Sequence, residues 1–177
     1  MTVLTRTPQN TNLLQPTKYL VTIDRTPNTQ YFCQKANIPG IRMPEAPLQS
    51  PFHNYTVAGL NMQFESFEIT FLVDESMKSW QDIFNWFLAI SSPVSFDERN
   101  TYQALQNANN PKNNLQSYSD IYLTILSNLN NPVTRVHFVN AFPTSLSSID
   151  FDTKESADDI ITATATFSYE YFEFETA

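Results

Sequence analysis

The chain has 177 residues, enough for one domain whose core needs neither a metal nor a disulfide. Its formal charge of −8 excludes a protein that grips phosphates through a basic stripe, and two glycines disfavour any phosphate-cradling loop. A single cysteine, Cys33, excludes an internal disulfide and fits a reducing compartment.

No run approaches the ~18 uninterrupted apolar residues of a membrane span. Residues 1–15 lack the basic start and apolar stretch of a signal peptide, so the expectation is a protein made and kept in the cytoplasm unless a particle carries it out. Aromatic residues make up 14% of the chain, which suits strands with large buried faces. The acidic balance is also compatible with a wall past which nucleic acid slides without sticking.

In chain order, residues 1–16 read as an extended polar arm carrying Pro8 and Pro16. Residues 19–23 form a strand closed by the turn cluster Asp24-Arg25-Thr26-Pro27-Asn28. A second strand over 31–36 stops at Ile38-Pro39-Gly40, and the two strands are expected to pair as a hairpin. Pro39, Pro44, Pro47 and Pro51 then remove ladder donors, predicting an irregular extended loop over 39–51 rather than a strand. A short strand follows within 52–58. The strand at 64–73 is clearer, with Phe67, Ile69 and Phe71 on one face and Glu68 and Thr70 on the other.

One helix stands out. Trp80, Ile83, Phe84, Phe87 and Leu88 make a single apolar stripe, with Ser79 as its cap, Asp82 approximating a capping box and Ser92-Pro93 as its end. Trp86 falls off the centre of the stripe. It reads either as a contact with another subunit or as the edge of the same core. Residues 97–117, rich in Asn and Gln, read as a long surface loop with at most a helical turn near 102–107. The last third is strand: 120–126, then 134–139 after an Asn-Asn-Pro turn. A bend at Phe142-Pro143-Thr144 leads into 148–152, and a long final strand covers 160–174. Along it Ile161, Ala163, Ala165, Phe167, Tyr169 and Tyr171 share one face; Thr162, Thr164, Thr166, Ser168 and Glu170 share the other, the pattern of one face on a core and one face wet.

Catalytic chemistry is poorly represented. His53 sits among prolines and His137 in a strand, and neither has a spaced carboxylate, cysteine or second histidine that would make a metal set. Nucleophile elbow, Walker loop and dinucleotide glycine fingerprint are all missing. The acidic group Asp150, Asp152, Glu155, Asp158 and Asp159 lacks the spacing of a calcium loop and reads as a solvated hairpin tip. The expectation is a protein without catalytic residues, metal or cofactor.

Four pieces nevertheless occur in a telling order. Gln15-Pro16-Thr17-Lys18 leads into the strand Tyr19-Leu20-Val21-Thr22-Ile23. Tyr31-Phe32-Cys33-Gln34-Lys35-Ala36-Asn37 runs into Ile38-Pro39-Gly40. Val57-Ala58-Gly59 precedes the strand from Phe64 and the Trp80 helix. Asn140-Ala141-Phe142-Pro143-Thr144-Ser145-Leu146 leads through Ile149-Asp150-Phe151-Asp152 to the closing strand. Spread over about two thirds of the chain, this order resembles the tail-tube family of contractile phages of the T4 type, including the tube-initiator proteins of the baseplate. The 97–117 segment has no counterpart in that pattern.

The resemblance implies a single mainly β domain over 1–177: an antiparallel β-sandwich or barrel with one flanking α-helix and long loops. It further implies a non-enzymatic virion protein, assembled in the host cytoplasm. Six copies would close into a ring by edge-to-edge strand pairing, and rings would stack into the inner tube of a contractile tail. Its partners would be copies of itself, the sheath, the tape-measure protein, and baseplate or tail-terminator proteins, with DNA passing through and no membrane insertion. Glu68 and Glu170 would then face the lumen. Pro44, Pro47, Trp86 and Tyr102 would contact neighbouring subunits. A baseplate tube-initiator ring is the nearest alternative, and an enzyme or carbohydrate-binding β-domain a remoter one.

Overall fold

Two long runs of alternating apolar and polar residues organise the fold. The computed structural model describes residues 11–109, 118–154 and 160–176. One run is β9 (Pro132–Leu146), and the other is split into β10 (Thr162–Ser168) and β11 (Tyr171–Thr176). β10 and β11 pair antiparallel with successive halves of β9, Ser168 opposite Phe142 and Tyr171 opposite Val139. At the join the alternation slips by one residue. Val136 and Phe138 are buried before it, Ala141 and Pro143 after it, and Asn140 takes φ 53°. Such a bulge bends a strand and sharpens its twist, which lets one ribbon serve two sheets.

The remaining strands sort onto the two halves. β8 (Ser119–Leu126) and β1 (Tyr19–Ile23) extend the β9–β11 half, giving the order β1-β8-β9-β11. β7 (Phe67–Leu72) and β2 (Cys33–Ala36) extend the other, giving β9-β10-β7-β2. All pairings are antiparallel. The inner faces meet in one core, where Phe67 of β7 lies 4.5 Å, centroid to centroid, from Phe138 of β9. The expected mainly β antiparallel sandwich is therefore the observed class. β1 and β2 do not form the expected hairpin: they lie at opposite ends of the sheet order. The short helix α1 (Pro27–Tyr31) occupies the turn between them, starting at the proline that favours a first helical position.

Helix α2 (Lys78–Ile90) covers the core, with a buried stripe of Ser79, Ile83, Trp86 and Ala89. That stripe is rotated from the expected one. Phe84 is left 42% exposed, stacked on the half-buried Trp80, while Trp86 is wholly buried against Phe167 at 5.8 Å. The cap also differs. Met77, in the left-handed region, occupies the cap position, and the Ser79 N–H donates to Asp74 Oδ1 at 2.9 Å. Asp82 instead accepts from Asn28 Nδ2 of α1 at 2.8 Å.

Hydrogen bonds from the Ser76 hydroxyl and then the Ser79 N–H hold the Asp74 carboxyl well below the usual carboxylate range. A depressed carboxyl adds stability above its unfolded value of about 3.9, and loses it as pH falls through the folded one. Asp74→Asn should therefore lower stability at neutral pH, with the gap to the parent closing below about pH 4 in a series of denaturant titrations. A gap independent of pH would show that the carboxylate charge does not carry the cap.

The structure adds a second long helix where a loop was expected. α3 (Phe96–Asn109) takes up much of 97–117; residues 110–117 lie outside the described residues, as do 1–10 of the arm. Its apolar period is weak, but its start is well marked. Ser95 Oγ accepts the Glu98 N–H at 3.2 Å, and Asp97 and Glu98 sit in the positive first turn. Buried Gln103 then donates to the carbonyl of Ala89 at 2.9 Å, satisfying one of the carbonyls that the end of α2 leaves open.

Two further expectations change. Residues 148–152 carry no strand, since β9 runs straight through Pro143. The stretch 39–51 is not wholly irregular. β3 (Ile41–Arg42) pairs β6 (Gln63–Phe64), and β4 (Glu45–Leu48) pairs β5 (Tyr55–Ala58). Two-stranded ribbons have an open side on every strand, so Pro47 can sit opposite Thr56 without taking a donor from a third strand.

Candidate assembly surfaces

The β4–β5 ribbon is exposed along its whole length. All eight of its strand residues are exposed, and Leu48, Tyr55 and Val57 are among them. At its tip Phe52 is 96% exposed, and just past its base Leu60 is fully exposed. Its base is closed by the Gly59 N–H donating to the carbonyl of Pro44 at 2.8 Å. Any Cβ at Gly59 would come within 2.5 Å of that carbonyl oxygen, so only glycine allows this approach. An isolated two-stranded ribbon is marginal in water, and contiguous apolar exposure marks an interaction surface. Pro44, half-buried, and Pro47, exposed, therefore lie together on one ribbon.

The other expected contact residues separate. Tyr102 is half-buried on α3. Trp86 cannot touch a neighbour: it is 0% exposed, sandwiched between Phe167 and the guanidinium of Arg25, whose Cζ lies 5.5 Å from its ring centroid. The core reading of Trp86 is the one the structure bears out. Arg25 is itself buried, and that burial pushes its pKa down. Its place in a polar turn cluster gave no sign of this, because the apolar wall above it arrives from α2.

Glu68 and Glu170 are both exposed. Glu68 stands opposite Thr166 on the outward side of β7 and β10, where Thr70 and Thr164 also pair, their hydroxyls 3.5 Å apart. This outward face is a band of threonines with the glutamate at one end. Glu170 lies at the bend, where its Oε2 accepts from Asn140 Nδ2 at 2.8 Å and its N–H bonds to the Val139 carbonyl. Beside it Tyr169 packs on the core and donates to the Glu65 carbonyl at 2.6 Å; burial first, and then the Glu65 carboxylate, push its hydroxyl up to about 12.

Cys33 is half-buried in β2, and burial pushes its thiol up to about 11, the environment of an inert cysteine. His53 is exposed at the ribbon, 5.8 Å from the ring of Tyr55. His137, expected to lack a carboxylate partner, has three: Asp120 at 3.4 Å, Glu173 at 3.5 Å and Glu175 at 3.4 Å. They come from neighbouring strands, β8 and β11, so no local spacing in the sequence could reveal them. Of the acidic group at 150–159, residues 155–159 lie outside the described residues. Among the described residues no helix is long and apolar enough to cross a membrane.

A closed aromatic core lies beside a ribbon that leaves its apolar side chains in water, the contiguous exposure that marks an interaction surface. The comparisons with known proteins agree. The model of the phage tail tube protein family matches residues 8–175. The tail tube terminator protein of Enterobacteria phage T4 is 27% identical over 173 residues, covering 93% of this chain and 90% of that one. The tube-terminating cap of the anti-feeding prophage superposes with a TM-score of 0.64 at 15% identity, over 100% of both chains. A sheath/tube terminator of an extracellular contractile injection system superposes with a TM-score of 0.60 at 14% identity, over 93% of this chain and 98% of that one. These two structural likenesses speak to the fold alone.

The chain belongs to the phage tail tube protein family. It is a structural component of a tail, and the family is one of architecture rather than catalysis.

Proposed function

We propose that this chain forms the ring that terminates the tail tube. The observation that carries the reading is the end-to-end match, over 93% of this chain and 90% of its relative, to the tail tube terminator of phage T4. In this reading the whole chain acts as one tail-tube-like domain, and six copies close into a ring through their open strand edges. The apolar β4–β5 ribbon lies on a neighbouring subunit, with Pro44 and Pro47 in the contact, and Tyr102 of α3 meets a further chain. The threonine band with Glu68 lines the lumen, and Glu170 adds charge near it. A net charge of −8 suits a passage that must release DNA rather than bind it. One face of the ring meets the end of the tube, and the ring also meets the sheath.

The inner tube itself is the second reading, favoured by the family description, and a baseplate initiator ring is the third. Negative-stain electron microscopy of the purified chain across a concentration series separates them. The terminator reading expects single rings that do not elongate and that cap preformed tube stubs at one end. Indefinite tubes grown from this chain alone would overturn it in favour of the inner tube. Rings that nucleate tube growth instead of ending it would overturn it in favour of the initiator.

A further inference from the structure

On the outward side of the β1-β8-β9-β11 sheet, five strand positions converge. His137 of β9 stands directly opposite Tyr122 of β8 on one side and Glu173 of β11 on the other. Glu175, two residues along β11, shares that face by the two-residue period of a strand. Asp120 shares it on β8 for the same reason. The imidazole lies flat against Tyr122, 4.5 Å between centroids and 19° between planes. Nδ1 points between Glu173 Oε1 at 3.5 Å and Glu175 Oε1 at 3.4 Å, and Nε2 points at Asp120 Oδ2 at 3.4 Å. Neither nitrogen is exposed to solvent, and neither makes a hydrogen bond.

We propose that His137 Nδ1, Glu173 and Glu175 form a binding site for a first-row divalent cation such as Zn²⁺, with Asp120 as the positioning residue behind the imidazole. The three ligand atoms lie within 4.8 Å of one another. The two Nδ1–oxygen separations, 3.5 and 3.4 Å, are compatible with a ligand set. A tetrahedral Zn²⁺ with bonds of about 2.0–2.2 Å to nitrogen and oxygen sets its ligand atoms about 3.3–3.5 Å apart, the spacing seen here. One imidazole with two carboxylates suits the transition metals better than Mg²⁺ or Ca²⁺, which take oxygen alone. The Asp120 carboxylate behind the far ring nitrogen is the arrangement that orients metal-bound histidines. Its other oxygen, Oδ1, accepts the N–H of the bulged Asn140 at 3.2 Å, so the bulge that bends β9 also holds this carboxylate in place. Three protein ligands leave a fourth position for water on the outward side. Because β11 is bonded to β9 alone among the described strands, the cation would tie this last strand to the sheet by side chains as well as backbone.

The test is isothermal titration of this 177-residue chain with ZnCl₂ in millimolar Mg²⁺, with Co²⁺ absorption reporting coordination geometry. We expect one saturable site per chain, the intense visible bands of tetrahedral Co²⁺, and a shift of the His137 ring resonances on Zn²⁺ addition. Glu173→Gln and Glu175→Gln, at positions 53% and 40% exposed, preserve shape and should each weaken binding at least about tenfold. Asp120→Asn should weaken it about 10–100-fold, while His53→Ala should leave it unchanged. No saturable Zn²⁺ site in the presence of Mg²⁺ would overturn the proposal. So would an affinity that His53→Ala lowers and the two glutamine variants do not. The His137 resonances decide the matter even if one glutamine variant fails to fold.

Discussion

Phe52→Ser combined with Leu60→Ser should abolish ring formation while leaving the folded monomer intact. Both side chains are almost wholly in water in the monomer, so their removal touches no internal contact, and surface changes of this kind usually stay within about 0.5 kcal/mol. If the ribbon lies on a neighbouring subunit, each loses the gain from burying a large apolar side chain, about 1.5–3 kcal/mol. Two such losses at one interface amount to about 4 kcal/mol, close to a thousandfold in its dissociation constant. A closed ring repeats that loss at every junction, so the effect is larger still. Sedimentation velocity and electron microscopy at matched concentrations check it, with thermal unfolding as the control. Rings that persist unchanged would mean that the ribbon faces solvent in the assembly, and would remove it from the contact surface.

The ribbon also shows what the sequence carried and what it did not. Strands whose side chains alternate strictly were readable. Phe67, Ile69 and Phe71 are buried and Glu68 is exposed, as the pattern in β7 predicts, and Ala163, Ala165 and Phe167 repeat it in β10. Where alternation slips, local reading failed. The final strand continues in phase only to Tyr169, and beyond it Phe172 packs on the core while Tyr171 is exposed. The slip faces Asn140, some thirty residues earlier, where β9 bulges against β8, and a bulge is a property of the pair.

Pairing partners were likewise hidden. β1 and β2 each look like half of a hairpin, yet each finds its partner across the chain, because α1 turns the connection away. α3 was obscured for a different reason. Its polar surface gives little period, while the legible signal, Ser95 with Glu98 three residues on, straddles the start of the 97–117 segment. The prolines at 44 and 47 point to an irregular loop and so to the wrong conformation, since proline forbids a central strand and tolerates an edge. The cluster around His137 is the extreme case: four side chains from three strands, invisible until register is known.

Trp86→Ala should be the most damaging single substitution in the fold. The side chain is the largest fully buried one, held between Phe167 at 5.8 Å and the Arg25 guanidinium at 5.5 Å. Truncating a buried tryptophan costs about 3–5 kcal/mol, a large fraction of the 5–15 kcal/mol that holds a domain of this kind together. At this chain length that lowers the melting temperature by about 10 °C. Part of the loss comes from Arg25, which gives up the aromatic face that offsets its burial; such contacts contribute about 2 kcal/mol when desolvated. Trp86→Phe keeps a ring over Arg25 and should recover most of the loss, whereas Trp86→Leu restores only part of the volume and no π face, and should recover less. Thermal and urea unfolding of the three variants measures this order. A contact residue would behave in the opposite way, with melting unchanged and assembly lost. That outcome would return Trp86 to the subunit interface and would contradict its burial in the monomer.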